Sequence, residues 1–181
     1  MSTNVWQGER VRLRAIESED WEFFANWDQD SETARHCYFV PPPKSKRAAR
    51  EWAEKEALKL PENDELNLVI ETLSGATVGS INSHSANRRN GTFSYGVAIH
   101  PAQRGKGYAS DAIRILLRHF FLELRYQKCN AHIYSFNHAS IELHKRLGFQ
   151  QEGCLRRQVF TNGHYHDELI FGITCEEYLK E

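Results

Sequence analysis

The sequence predicts one α+β domain over residues 1–181: a mixed, mostly antiparallel twisted sheet of about seven strands with a central parallel pair, flanked by about four helices. Three observations carry this. From Leu66 to Ile99, successive apolar-alternating runs separated by turn residues read as an antiparallel meander. A strand, a long amphipathic helix and a second strand follow between Thr92 and Ser135, and such a crossover is right-handed and leaves its two strands parallel. Two further runs, joined across Thr161-Asn162-Gly163, read as a hairpin. No repeat, low-complexity tract or linker divides the chain.

Taken in order, Arg10 to Ala15 alternates as a first strand. Ser18 or Asp20 caps the next helix, where Trp21, Phe24, Ala25 and Trp27 supply the buried stripe. Residues 28 to 43 read as irregular and end in Pro41-Pro42-Pro43, which blocks helix. Ser45 starts a second helix to about Lys59, with Ala48, Ala49, Trp52, Ala53 and Leu58 on its less polar side. Leu66 to Glu71 and Thr77 to His84 form strands about the Ser74-Gly75 turn, and a polar loop through Asn87 to Gly91 leads to the strand Thr92 to Ile99. Ala109, Ala112, Ile113, Leu116, Leu117, Phe120, Phe121 and Leu124 recur at helical spacing. Lys128 to Ser135 is the next strand, and Asn137 caps a helix that Gly148 closes. Gln151 to Phe160 and His166 to Thr174 complete the hairpin.

Composition narrows the function classes. A chain of 181 residues, 40% hydrophobic and 26% charged, has the make-up of an ordinary soluble globular protein. Its net charge of -1 argues against nucleic acid as the primary ligand. No apolar run approaches membrane-spanning length, and Met1-Ser2-Thr3-Asn4 does not open a signal peptide. Cys37, Cys129, Cys154 and Cys175 are scattered without a C-x-x-C pair, as expected of reduced thiols in a cytoplasm.

The stretch with the most chemistry is Val97-Ala98-Ile99-His100-Pro101-Ala102-Gln103-Arg104-Gly105-Lys106-Gly107-Tyr108-Ala109. Pro101 ends the strand, and Gly105 and Gly107 allow a tight turn whose backbone N–H groups converge at the positive end of the following helix. That is a site for phosphate or pyrophosphate, with Arg104 and Lys106 adding charge at its rim. It is not a Walker A loop, because the spacing and the hydroxyl after the lysine are absent. Nor is it a dinucleotide fingerprint, because Ser110 stands where a third glycine or alanine is needed.

Arg104-Gly105-Lys106-Gly107-Tyr108-Ala109 resembles the R/Q-x-x-G-x-G/A signature of the GNAT N-acetyltransferases. About thirty residues on, Asn137-His138-Ala139-Ser140-Ile141-Glu142-Leu143-His144-Lys145-Arg146-Leu147-Gly148-Phe149 resembles that family's second hallmark. Glu152-Gly153-Cys154-Leu155-Arg156 and Gly163-His164-Tyr165-His166-Asp167 look like its RimJ/RimL and spermidine acetyltransferase branch. The resemblance implies acetyl transfer from acetyl-CoA to a primary amine by direct attack in a ternary complex, without a metal. The acceptor is then a protein N-terminal amine, a polyamine or another small amine. The resemblance gives the cofactor's pyrophosphate to Arg104, Gly105, Lys106, Gly107, Tyr108 and Ala109. It lays pantetheine beside Val97 and Ile99, where the parallel strands splay after Val97, with Asn137 and Ser140 also near the cofactor. Asn137 serves equally as a helix cap.

His144 stands where many relatives carry a tyrosine that returns a proton to the leaving thiolate. It is either an acid of suitable pKa or a partly exposed helix residue. Ser140 assists near the thiol or is a first-turn hydroxyl, and Glu71, His84, Tyr95 and His132 are candidates for the base that frees the amine. His164-x-His166-Asp167 has the alternation of a metal site but lacks a third assured ligand, and Cys154 lacks a neighbour that clearly activates it. Two rivals from other classes are an acyl-CoA sensor without catalysis, separable by binding without turnover, and a nucleotide-binding oxidoreductase, separable by NAD(P) titration. A homodimer stays open; a membrane partner is not expected.

Overall fold

The computed structural model describes residues 4–27, 29–37 and 39–180. The signal-peptide reading of Met1, Ser2 and Thr3 therefore lies outside the described residues, as do Asp28 and Tyr38 of the stretch expected to be irregular. Seven strands, β1 (Val11–Ala15), β2 (Asn67–Thr72), β3 (Thr77–Asn87), β4 (Thr92–Ile99), β5 (Lys128–Tyr134), β6 (Gln150–Thr161) and β7 (His164–Thr174), form a sheet in the order β1-β2-β3-β4-β5-β7-β6. β4 and β5 are parallel, and the registers of β1 with β2, β2 with β3, β5 with β7 and β6 with β7 are antiparallel. The described helices are α1 (Trp21–Trp27), α2 (Ser31–Cys37), α3 (Lys46–Ala57), α4 (Tyr108–Arg118), α5 (His138–Arg146) and α6 (Cys175–Tyr178).

The chain packs as two compact units. The first holds the chain up to Asn82 together with Val97–Ile115; the second holds Ser83–Gly96 and the chain from Leu116 onward. In the first, Val11 and Leu13 alternate inward from β1, with Val69 and Ile70 of β2 and Val78 and Ile81 of β3 also buried. α3 starts where Ser45 Oγ accepts the Ala48 N–H at 3.1 Å. The aromatic stripe of α1 meets it edge-on, Phe24 against Trp52 at 4.9 Å between ring centres, while Arg50 lies over Trp21. Phe24 and Trp21 are half-buried and Trp52 is exposed. In the second unit, Phe93 stacks on Phe120 at 3.9 Å, and Tyr126 closes edge-on against both.

Local departures from the sequence reading have physical causes. α2 lies inside the stretch expected to be irregular: Asp30 caps it, accepting the Glu32 and Thr33 N–H groups at 3.1 and 3.4 Å. Ser18 does not cap α1; Asp20 reaches back to the Glu17 N–H at 2.8 Å across a 3-10 turn. α4 ends in a π-turn over His119–Glu123, with Leu124 N–H bonded to the His119 carbonyl, so that Phe120 and Phe121 both point inward. The β4–β5 register pairs Thr92 with Lys128, Phe93 with Cys129 and Ser94 with Asn130. Pairing therefore stops before Tyr95, earlier than the divergence after Val97 that the sequence suggests.

Candidate active site

The glycine-rich turn takes its expected form. Pro101–Gln103 makes one 3-10 turn, Gly105 and Gly107 adopt φ of +77° and +81°, and α4 begins at Tyr108. The Asp111 N–H bonds the Gly107 carbonyl at 3.1 Å, so the N–H groups of Tyr108, Ala109 and Ser110 precede the first helical bond and lack a carbonyl within α4. A Cβ on Gly105 would meet nothing within 4 Å, which leaves the turn open on that side. This cradle fits an anionic diphosphate. Leading into it, Ile99 is buried and Val97 half-buried.

The two rim cations have different partners. Arg104 donates Nε to the Ile99 carbonyl at 3.2 Å and a terminal nitrogen to Thr33 Oγ1 at 2.7 Å, both neutral acceptors, so it keeps its charge while it splints the strand end to α2. Lys106 is exposed and donates to Gln103 Oε1 at 2.7 Å. Asp111, which sequence reasoning passed over, accepts the N–H groups of Glu9, Arg10 and Val11 at 3.2, 2.7 and 2.9 Å. It fastens the start of β1 to the first turn of α4. Partners about a hundred positions apart leave no local sequence signal.

The second motif builds a neutral cluster. Asn137 Oδ1 accepts the Ser140 N–H at 3.2 Å and caps α5, which leaves its amide N–H groups available. His144 is 3% exposed, which corrects the reading of it as a helix surface residue. Its Nδ1 lies 2.7 Å from the Ser140 carbonyl and must donate; its Nε2 then accepts from the Tyr95 hydroxyl at 2.7 Å. Ser140 Oγ sits 3.3 Å from the same Nδ1. Burial pushes the His144 pKa down, partly offset by the Ser140 carbonyl, and burial holds the Tyr95 phenol well above its usual value. Burial and the hydrogen bond taken from the phenol both favour the neutral imidazole, whose one N–H is given to a carbonyl. Tyr95, one of the base candidates, is its partner from 49 residues away.

Glu71 is arranged against the role of base. It is 6% exposed and paired with the guanidinium of Arg12 and, at 2.8 Å, with that of Arg14, which also holds Asp20 through two bonds of 2.7 and 2.8 Å. Burial raises the Glu71 carboxyl, but the hydrogen bonds and charges of Arg14 and Arg12 outweigh it and leave it below the ordinary carboxylate value. A carboxylate held this way takes up a proton reluctantly. Of the other base candidates, His84 lies beside Ser85 and His132 beside Glu168. Burial and Asp167 both push the Cys154 thiol up, away from nucleophilic character. Among the described residues no three His, Cys, Asp or Glu side chains converge to hold a metal, and no helix is long and apolar enough to cross a membrane.

An acetyltransferase (GNAT) domain family matches residues 10–150. The SPbeta prophage-derived uncharacterized N-acetyltransferase YokL of Bacillus subtilis is 42% identical over 178 residues, 98% of this chain and 97% of its own. The spermidine N(1)-acetyltransferase of Escherichia coli K12 is 25% identical over 94% of this chain and 89% of its own. Among solved structures, the spermidine N-acetyltransferase from Vibrio cholerae in complex with CoA and spermine matches with a TM-score of 0.81 at 27% identity, over 93% of this chain and 98% of that one.

Proposed function

Because the chain belongs to the GNAT acetyltransferase family, and so moves the acetyl group of acetyl-CoA to an amine, we propose a direct transfer in a ternary complex with a polyamine as the acceptor. The observation that carries the cofactor's place is the turn at Gly105 and Gly107, whose bare N–H groups at the head of α4 suit a diphosphate. The polyamine reading is supported by two similar proteins, one named for spermidine and one crystallised with spermine. We read residues 1–181 as one N-acetyltransferase domain, at work in the cytoplasm.

In this reading Val97 and Ile99 flank the pantetheine arm. The amine nitrogen forms a bond to the thioester carbonyl carbon as the carbon–sulfur bond breaks, and coenzyme A leaves as the thiolate. A backbone N–H of β4 stabilises the developing oxyanion. The amine's proton leaves through water, since Glu71 is committed to arginines. In this reading Ser140 is the hydroxyl that assists the departing thiolate, while His144 and Tyr95 hold one another as positioning residues. A panel of spermidine, spermine, peptides with free N-termini and aminoglycosides, each with acetyl-CoA and mass detection of product, tests this. Acetylated spermidine or spermine is expected; acetylation of peptide N-termini alone would replace the acceptor.

A further inference from the structure

Two cations at the rim of the turn are each held by neutral acceptors, Arg104 by Ile99 and Thr33 and Lys106 by Gln103. The fold brings in another. A Cβ built on Gly107 would lie 3.3 Å from both Cδ and Nε of Arg10 and 3.8 Å from its Cζ, so the Arg10 side chain runs directly alongside the turn. Arg10 is exposed, and among the described residues its guanidinium has no carboxylate partner.

We propose that Arg10 binds the diphosphate of acetyl-CoA and that Asp111 is the positioning residue that puts it there. This rests on the cofactor reading of the Gly105–Gly107 turn. Two features make the placement more than proximity. The backbone at residue 10 is clamped from both sides, its N–H on Asp111 at 2.7 Å and its carbonyl accepting from Leu73 at 3.4 Å. The chain comes this close to α4 only because residue 8 is glycine: a Cβ there would collide with the Asp111 carboxylate. Asp111 itself would repel an anion from the helix N-terminus. Its charge is instead taken up by three N–H groups, while the Arg10 guanidinium alongside Gly107 stays free for a two-pronged contact with phosphate oxygens.

The test measures binding of CoA and 3′-dephospho-CoA by calorimetry, and kcat/KM with acetyl-pantetheine, for the wild type, R10Q and R10K. R10Q should weaken both nucleotides by the same factor, about tenfold or more, leave acetyl-pantetheine unchanged, and be partly restored in R10K. In the R10Q background D111N should cost no further affinity. Wild-type-like binding by R10Q overturns the role of Arg10, and a loss confined to CoA overturns it by moving the arginine to the 3′-phosphate. A wild type that ignores both nucleotides overturns the cofactor reading of the turn, and this inference with it.

Discussion

The chain passes from strand to helix at two junctions that solve one problem in opposite ways. Every helix begins with N–H groups that lack an internal acceptor. Before α5 the chain satisfies one itself: Asn137 supplies the oxygen to Ser140. Before α4 it does not, because the residue at the entry is Gly107, which has no side chain, and the acidic residue of the first turn, Asp111, is occupied by the start of β1. A bare junction is a site for an anion from outside. A capped one is a fixed platform, and the platform carries His144.

The largest effect should come from filling the bare junction. Gly107→Glu sets a negative charge beside the N–H groups and displaces the Arg10 side chain. Losing two or more charge-assisted hydrogen bonds predicts CoA binding weaker by at least about a hundredfold, read by calorimetry. At φ of +81° a side chain also costs about 1–2 kcal/mol, so a melting temperature a few degrees lower should accompany the loss. Unchanged affinity would erase the distinction between the junctions.

Next in size is the contrast between charged and neutral clusters. Glu71→Gln removes the carboxylate that pairs with Arg12 and leaves Arg14 with Asp20 alone, and should cost about 2 kcal/mol in denaturant unfolding, discounted because Arg12 is half-exposed. Turnover per folded molecule should be unchanged, whereas a catalytic base would lose it. With the Glu71 and Asp20 carboxyls held below their ordinary values, their stabilisation is full above about pH 4.5 and is lost as pH falls through the lowered folded values. His144 adds the same sign from a higher start: its depressed value means stability declines as pH drops below about 6.5.

His144→Phe breaks the neutral cluster and leaves the buried Tyr95 hydroxyl without its acceptor, at about 1–3 kcal/mol. The double variant with Tyr95→Phe should recover part of that cost, because both polar ends are then gone. Turnover in the double variant within a few-fold of wild type would fit two positioning residues; a loss of several orders of magnitude would return His144 to proton transfer.

How much of this was legible in the sequence depends on how far apart the partners are. The glycine turn, the Asn137 cap and the seven strands rest on neighbours along the chain, and local pattern gives them. α2 was hidden by the Pro41–Pro43 run and by a stabilising contact, Thr33 with Arg104, 71 residues away. The state of His144 was hidden more deeply. Its pKa direction follows from burial, with Phe149 and Phe171 against its ring, and its hydrogen-bond partner Tyr95 comes from β4, none of which helical spacing reveals. The pairing of Glu71 was hidden for the same reason: Arg12 and Arg14 are visible as neighbours in β1, but only the register Arg12 with Glu71 aims them at one carboxylate.

The two smallest effects separate the two duties of the capped junction. Asn137→Ala should cost about 1 kcal/mol of stability, and Asn137→Gly only a few tenths, if the side chain is a cap alone. If its amide also holds pantetheine, both variants raise the KM for acetyl-CoA equally despite their different stabilities. Ser140→Ala should be slighter still. The Oγ lies 3.3 Å from a Nδ1 whose proton already goes to the Ser140 carbonyl at 2.7 Å, so deleting it should change unfolding by about 0.5 kcal/mol or less. Stability is thus silent about Ser140, and turnover becomes a clean reading of it. A tenfold fall in kcat in a protein of unaltered stability assigns the hydroxyl to the departing thiolate; an unchanged kcat leaves the platform purely structural.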